Sequence, residues 1–327
     1  FYRRLRSGPD AVKPVLDLML AARAASVARE HGCDLIHAHN YEGALAGWVA
    51  AQMGRLPLVY HAHNLMEDEL PTYTGNQVLA GVARLLGLGL DRVVPRLGDR
   101  VIALHDVLAG ALLERGVSTG RMVVVPPGID AAFWHRPNAV KARVPTVVYT
   151  GNLDTYQDLP MLFEAIRLVA ARIADVRLLV LTPNDASEGR RMAEAHRAGH
   201  LTRVIFTPDA ESTRRELVRA NVAVSPRSSW SGFPIKNLNA AAAGLPVVAC
   251  RGAAFSVSDG RTGLVVPDHD PEAMARALCG MLQDPERAAA LGEAGRYLVR
   301  ESFSVDKMVA GVERVWQSVT AQAGKPA

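Results

Sequence analysis

The chain has 327 residues, 49% of them hydrophobic and 21% charged, with a net charge of +4. That length suits about two domains of ~150 residues each, with ample apolar material for a core in both. The weak positive charge, with no dense Lys/Arg tract and little aromatic interleaving, excludes nucleic acid as a partner but suits anionic substrates or an anionic membrane surface.

The three cysteines, Cys33, Cys250 and Cys279, are isolated. None falls in a CxxC or Cys/His zinc spacing, so they read as core thiols in a reducing, cytoplasmic compartment. No apolar run reaches the ~20 residues of a membrane span. The opening Phe-Tyr-Arg-Arg-Leu-Arg has no apolar region behind it, so it is not a signal peptide. The chain also starts without methionine, and an upstream segment is expected to be missing.

The first predicted element is a helix leading into the strand Asp34–His39. A doubly wound sheet normally carries a Gly-rich loop after its first strand. None precedes Asp34, so the first βα units of this half are expected to be absent. Strands follow at Leu58–His63, Arg100–Leu104 and Met122–Pro126. His37, His39, His61 and His63 form two His-x-His pairs at strand ends. Period 2 places His61 and His63 on one face. A zinc site is one reading, with Glu67 and Asp68 nearby. Packing or backbone hydrogen bonding of His37 and His61 is the other, and it is preferred: no metal is expected.

Thr72–Arg100 is apolar with interspersed Arg84, Arg92, Arg96 and Arg100. It fits an amphipathic surface for peripheral membrane contact, or two core-facing helices with a solvated arginine face; the second is preferred. Pro126–Pro145 has several prolines and no period, and reads as the linker. The expected domains are therefore 1–140 and 141–327.

The second half continues with strands at Thr146–Thr150, Val176–Leu181, Val204–Thr207, Val222–Ser225, Pro246–Cys250 and Gly263–Val266. Most are apolar throughout, as in parallel strands covered on both faces. Helical segments alternate with them, the βαβ rhythm of an α/β doubly wound sheet. Between two of these strands lies SGFPIKNLNAAAAGLPVVAC, Ser231–Cys250. Arg227–Ile235 reads as a Gly/Pro-containing loop, and Lys236–Ala243 as a helix of strong formers. Gly244 suits a left-handed helix end and Pro246 blocks continuation. Gly232 and Pro234 bring backbone N–H groups and a helix N-terminus to the carboxyl edge of the sheet. Such edges bind ligands and such termini favour phosphate. Lys236 stands in the first turn, where the helix dipole disfavours a cation, and that conflict suggests an anion. The bland alternative is an ordinary crossover with a solvated lysine. Asp268–Asp270 reads as a turn and helix cap rather than a catalytic pair. The last helix is expected over Val305–Gln322.

Ser231–Ala249 resembles the donor-binding segment of family 4 glycosyltransferases, which are retaining enzymes of the GT-B fold. Val124–Trp134 is similar to that family's interdomain linker, and Val147–Ile166 to the strand opening its nucleotide domain. Gly263–Leu278 matches the segment after the donor site. LIHAHN and YHAHN resemble its acceptor-domain strands. These matches come in the family's order and cover nearly the whole chain. The resemblance implies two Rossmann-like domains facing across a cleft, the C-terminal one holding a nucleotide-diphosphate sugar. It implies that the last helix packs back toward the N-terminal domain.

By the same resemblance Asn239 takes the place of the ribose-binding Glu; an amide both donates to and accepts from hydroxyls. Ser231 takes the place of the Glu associated with the donor sugar. The backbone of Gly232, Phe233, Pro234 and Ile235 is expected to face sugar and diphosphate. The family's Arg/Lys diphosphate clamp, after Gly151, reads Asn152 and Gln157. Both charges are lost there, and Arg227 and Lys236 are the expected substitutes. His63 is expected to line the cleft beside the donor sugar as the catalytic residue, with His39 on the neighbouring strand facing the acceptor. The implied reaction moves a sugar, with retention, to a glycan or lipid-linked acceptor in cell-envelope polysaccharide or glycolipid synthesis. It uses no cofactor or required metal. The competing reading is a non-catalytic sugar-nucleotide-binding module. A GT-B epimerase is weaker, because no hydrolytic carboxylates can be placed.

Overall fold

The structure, a computed structural model, describes residues 12–137, 139–228 and 232–323. Two compact units emerge. The first comprises Phe1–Pro126, Ser231–Phe233 and Met308–Ala327; the second comprises Pro127–Trp230 and Pro234–Lys307. The division thus falls after Pro126, earlier than the expected position near residue 140, and the last helix groups with the first unit.

The first unit begins with α1 (Lys13–Glu30), β1 (Ile36–His39), α2 (Asn40–Gly54) and β2 (Leu58–Ala62). Then come α3 (Met66–Glu69), α4 (Gln77–Val93), β3 (Arg100–Ala103), α5 (Asp106–Glu114) and β4 (Met122–Val124). Its four strands lie in chain order, all parallel. The two central strands, β2 and β3, are buried on both faces, with Leu58, Val59 and Tyr60 in β2, which explains their lack of alternation.

The second unit contains α6 (Ala131–Trp134), β5 (Thr146–Thr150), α7 (Leu159–Ala170), β6 (Arg177–Thr182), α8 (Ala186–Ala195), β7 (Thr202–Phe206) and α9 (Ala210–Leu217). It continues with β8 (Val222–Ser225), α10 (Ile235–Ala242), β9 (Val247–Cys250), β10 (Gly263–Val266), α11 (Pro271–Gln283) and α12 (Pro285–Ser302). The last helix, α13, is Val305–Ala323. Within the first unit, its Val312, Val315 and Val319 pack with Val59, Ile102 and Val125.

The six-stranded sheet has the order β10-β9-β8-β5-β6-β7, all parallel. The chain builds outward from β5 to β7, returns to β8 on the other side of β5, and builds outward again. That reversal makes β5 and β8 the switch point, where open α/β sheets present loops to ligands. Tyr149, Phe163, Leu178 and Val248 fill the core around it. Local chemistry sets the helix starts. Asp270 accepts from the Ala273 N–H at 2.8 Å and Asp284 from the Arg287 N–H at 3.0 Å, each followed by proline at the first helical position. Asp268 accepts from the Gly252 N–H at 2.9 Å, so the carboxylates of 268–270 serve turn and cap as expected. Gly244, with φ of +75°, ends α10.

Candidate functional site

The loops after β5 and β8 meet at the switch point of the second unit. Gly151 follows β5 with φ of +142°, and a Cβ there would come within 2.9 Å of the Tyr149 hydroxyl. The turn that follows is bound internally. The Tyr149 hydroxyl donates to the Asn152 carbonyl at 2.6 Å. The Asn152 amide donates to Asp154 at 2.6 Å and to the Tyr156 hydroxyl at 2.9 Å. Gln157 donates to the Asn152 side-chain oxygen at 2.9 Å. Lys236, on the first turn of α10, donates to the Gln157 side-chain oxygen. Its ammonium also lies 4.4 Å from the centre of the Tyr149 ring. Arg227, just past β8, stands over the Tyr156 ring at 5.2 Å. The structure therefore brings Gly151, Asn152, Gln157, Arg227 and Lys236 into one group.

Electrostatically the group is unusual. Among the described residues neither Lys236 nor Arg227 pairs with a carboxylate. Burial, reinforced by the nearby Arg227 charge, pushes Lys236 down from 10.5 to about 7. Burial also lowers Arg227, partly offset by Tyr156 and Tyr149, and its Nε is buried without a hydrogen-bond partner among the described residues. Cations withdrawn from water without counter-charge are costly. They are tolerable where an anion is to be bound.

Asn239 lies one turn further along α10, half-buried. Its neighbour Asn237 is buried and donates to the Ala253 carbonyl at 2.7 Å, pinning α10 to the segment after β9. Pro234 is buried, Ile235 exposed, and Gly232 adopts φ of +76°. Gly232 and Phe233 group with the first unit. Ser231 lies outside the described residues.

In the first unit all four histidines of the two His-x-His pairs gather. His39 is paired in register with His61 across β1 and β2. The Nδ1 of His39 lies 2.9 Å from the Nε2 of His63. Centroid distances are 4.6 Å for His37–His39, 4.8 Å for His39–His61 and 5.0 Å for His61–His63. Burial and the neighbouring imidazoles push His37 and His63 down to about 4 and His61 to about 3; burial alone lowers His39. The rings are neutral at pH 7. His37 was expected to pack or to bond backbone. It packs, stacked on His39 and His61, and bonds not to backbone but to Trp316, whose indole N–H donates to its Nδ1 at 3.1 Å. His61 makes no backbone bond either: both its ring nitrogens are buried without a hydrogen-bond partner among the described residues. Glu67 does not join the cluster; it pairs with Arg115.

The structure corrects the preferred reading of Thr72–Arg100. In α4 the apolar stripe Val78, Leu79, Val82, Leu85, Leu86 and Val93 is exposed, between 51% and 77%. The buried positions are Gly87 and Asp91. Gly87 lets the backbone of α3 approach, since a Cβ there would sit 2.3 Å from the Met66 oxygen. Asp91 accepts from the Tyr41 hydroxyl and from the N–H groups of Met66 and Glu67 at 2.8 and 3.0 Å. Sequence reasoning also missed Tyr149, Tyr156 and Trp316. The aromatic residues within five positions of Gly151 and Asn152 were the available signal for the first two; Trp316 joins the histidines from a distant helix and had none.

Two parallel-sheet α/β units with polar loops at a switch point are the GT-B architecture. The chain matches the sequence models of Glycosyltransferase Family 4 over residues 2–133 and of Glycosyl transferases group 1 over 144–284. It is 32% identical over 282 residues to D-inositol 3-phosphate glycosyltransferase 2 of Catenulispora acidiphila, covering 80% of this chain and 65% of that one. It is 28% identical to D-inositol 3-phosphate glycosyltransferase of Salinispora tropica, covering 98% and 73%. The chain thus spans about two thirds of the length of these curated relatives. In fold it is similar to sucrose-phosphate synthase from Thermosynechococcus elongatus, with TM-score 0.82, 23% identity and 98% and 83% coverage. It is also similar to Anabaena HepE in complex with UDP, with TM-score 0.74, 18% identity and 91% and 82% coverage. The chain belongs to the family 4, group 1 glycosyltransferases.

Proposed function

We propose that this chain is a retaining glycosyltransferase. It moves a sugar from a nucleotide-diphosphate sugar to a glycan or lipid-linked acceptor in cell-envelope polysaccharide or glycolipid synthesis, on the cytoplasmic side. The observation that carries this reading is the pair of half-buried cations, Lys236 and Arg227, at the switch point, neither with a carboxylate partner among the described residues. A diphosphate is the anion that fits. When the glycosidic bond to phosphate breaks, negative charge grows on the departing diphosphate. Preorganised donors at that point lower the barrier most. Lys236 and Arg227 supply that charge, so the transfer needs no metal. Gln157 and Asn152 hold the ammonium in place and replace the family's charged clamp with neutral donors. Asn239 binds the ribose. Ser231 and the backbone of Gly232–Ile235 face the sugar. His63 lines the reacting centre and His39 the acceptor side. The exposed apolar stripe of α4, with Arg84 and Arg92, supports peripheral contact with the membrane that carries a lipid-linked acceptor.

A second reading is a non-catalytic nucleotide-sugar-binding module, favoured by the neutral residues Asn152 and Gln157 in the clamp. Calorimetric titration with UDP, GDP and ADP and their sugar conjugates separates the possibilities. HepE was solved with UDP and with UDP-glucose, so these are the first probes. Selective binding that falls about tenfold or more in both Lys236→Ala and Asn239→Ala supports the donor site. Binding without transfer to any acceptor, inositol phosphate included, supports the module. No binding by any nucleotide sinks both.

A further inference from the structure

We propose that His37, His39 and His61 form a binding site for a borderline divalent transition-metal ion, of which Zn²⁺ is the representative. The site lies wholly in the first unit and does not rest on the donor-site reading.

The sheet itself assembles it. His37 and His39 occupy alternate positions of β1, so their rings share a face. His61 is the register partner of His39 on β2. One ring nitrogen from each of the three lies within 4.8 Å of the other two. His61 is only 6% exposed, and neither of its nitrogens has a hydrogen-bond partner among the described residues; the Nε2 of His37 is likewise buried and unpartnered. Buried polar nitrogens ordinarily have partners. A single cation drawn to one nitrogen of each ring gives each imidazole a partner it lacks, the other nitrogen of the ring keeping its proton.

The donor set selects the ion. Three imidazoles without a carboxylate suit Zn²⁺, Ni²⁺ or Cu²⁺ and not Mg²⁺ or Ca²⁺. A tetrahedral zinc with Zn–N of about 2.0–2.1 Å sets its nitrogens roughly 3.4 Å apart. Rotation of the imidazoles about their side-chain bonds closes the remaining distance. The ring of His39 is already held by its bond to His63, the kind of outer partner that orients a metal-bound histidine.

One bond must be exchanged. The Trp316 N–H donates to Nδ1 of His37, so neutral His37 carries its proton on Nε2. The metal either takes Nδ1 directly or takes Nε2 after the proton moves to Nδ1. Both routes release the indole, which gives an optical signal specific to this site.

The test uses the full, untagged chain stripped with a chelator. Zn²⁺ is titrated by calorimetry, Co²⁺ is followed by visible absorption, and Cu²⁺ by quenching of tryptophan fluorescence. The expected result is one equivalent of Zn²⁺, an intense four-coordinate Co²⁺ spectrum, and a Cu²⁺ quench missing from Trp316→Phe. Affinity should fall at least tenfold in His39→Gln and His61→Leu, and stay unchanged in His31→Ala and His200→Ala, two exposed histidines elsewhere. His61 is buried and its variant is vulnerable to misfolding; exposed His39 is not, and circular dichroism checks both. Absence of saturable Zn²⁺ binding, or one-equivalent binding that survives intact in folded His39→Gln, overturns the proposal.

Discussion

Lys236 shows most plainly how one side chain ties stability to ligand. Its pKa in the folded chain, about 7, is depressed from 10.5. Between those values the unfolded chain binds more protons than the folded one, so stability rises with pH across about 7 to 10.5 and the cost is complete below 7. Lys236→Met is therefore expected to raise the melting temperature of the free protein at pH 7.5, read by calorimetry. The same substitution should weaken nucleotide binding, the trade expected of a residue kept for function. Affinity for a nucleotide-diphosphate sugar, which lacks a titrating terminal phosphate, should increase as pH falls from 8 to 6. It should be flat over that range in Lys236→Met. Asn239→Ala, at a half-buried position, should cost about tenfold in nucleotide affinity and leave the melting temperature within a degree or two. At this scale the sequence was legible where charge sat in an odd place. Lys236 in a helix's first turn suggested an anion, though a solvated lysine fitted the same pattern, and the structure half-buries it. Tyr149 and Tyr156 did not, because a tyrosine beneath a cation looks, in sequence, like any tyrosine near a strand end.

At the scale of elements, the strands were legible almost to their bounds. Thr146–Thr150, Val222–Ser225 and Gly263–Val266 appear where uniform apolarity put them, since parallel strands covered on both faces leave no other pattern. Helix α4 was misread for an instructive reason. Its large apolar residues define the obvious face, but a glycine and an aspartate define the buried one. Asp91 holds three donors from α2 and α3, and Gly87 permits contact between backbones. Neither is an apolar signal. Asp91→Ala should destabilise the first unit by about 3 kcal/mol, because it strands two backbone N–H groups and a tyrosine hydroxyl. Gly87→Ala should cost about 1–3 kcal/mol through overpacking. Urea denaturation read by the circular dichroism of the chain checks both; a loss under 0.5 kcal/mol for Asp91→Ala would contradict the role given to it.

At the scale of the whole chain there are two cores, each with its own sheet, so equilibrium unfolding need not be two-state. Donor nucleotide should raise hydrogen-exchange protection at Gly151–Gln157 and Ile235–Asn239 and leave the amides of β1 and β2 unchanged. Zinc should do the reverse. The two ligands thereby report on the two units separately. The strand order of the larger sheet carries a further consequence, for how the chain folds. β5 to β7 pair with sequential neighbours, and so do β8 to β10. The seam between these halves, β5 against β8, joins Val147 to Val222 and Val148 to Ala223, and is anchored by Asn221 bonding back to Thr146 across 75 residues. Closing so long a loop is entropically the slowest step. Each half can form early from near neighbours, and the seam closes last. Since β5 and β8 also carry the loops of the proposed donor site, Gly151 and Arg227 come together only as folding finishes. A form in which this seam is open therefore lacks the proposed nucleotide site before it lacks a sheet.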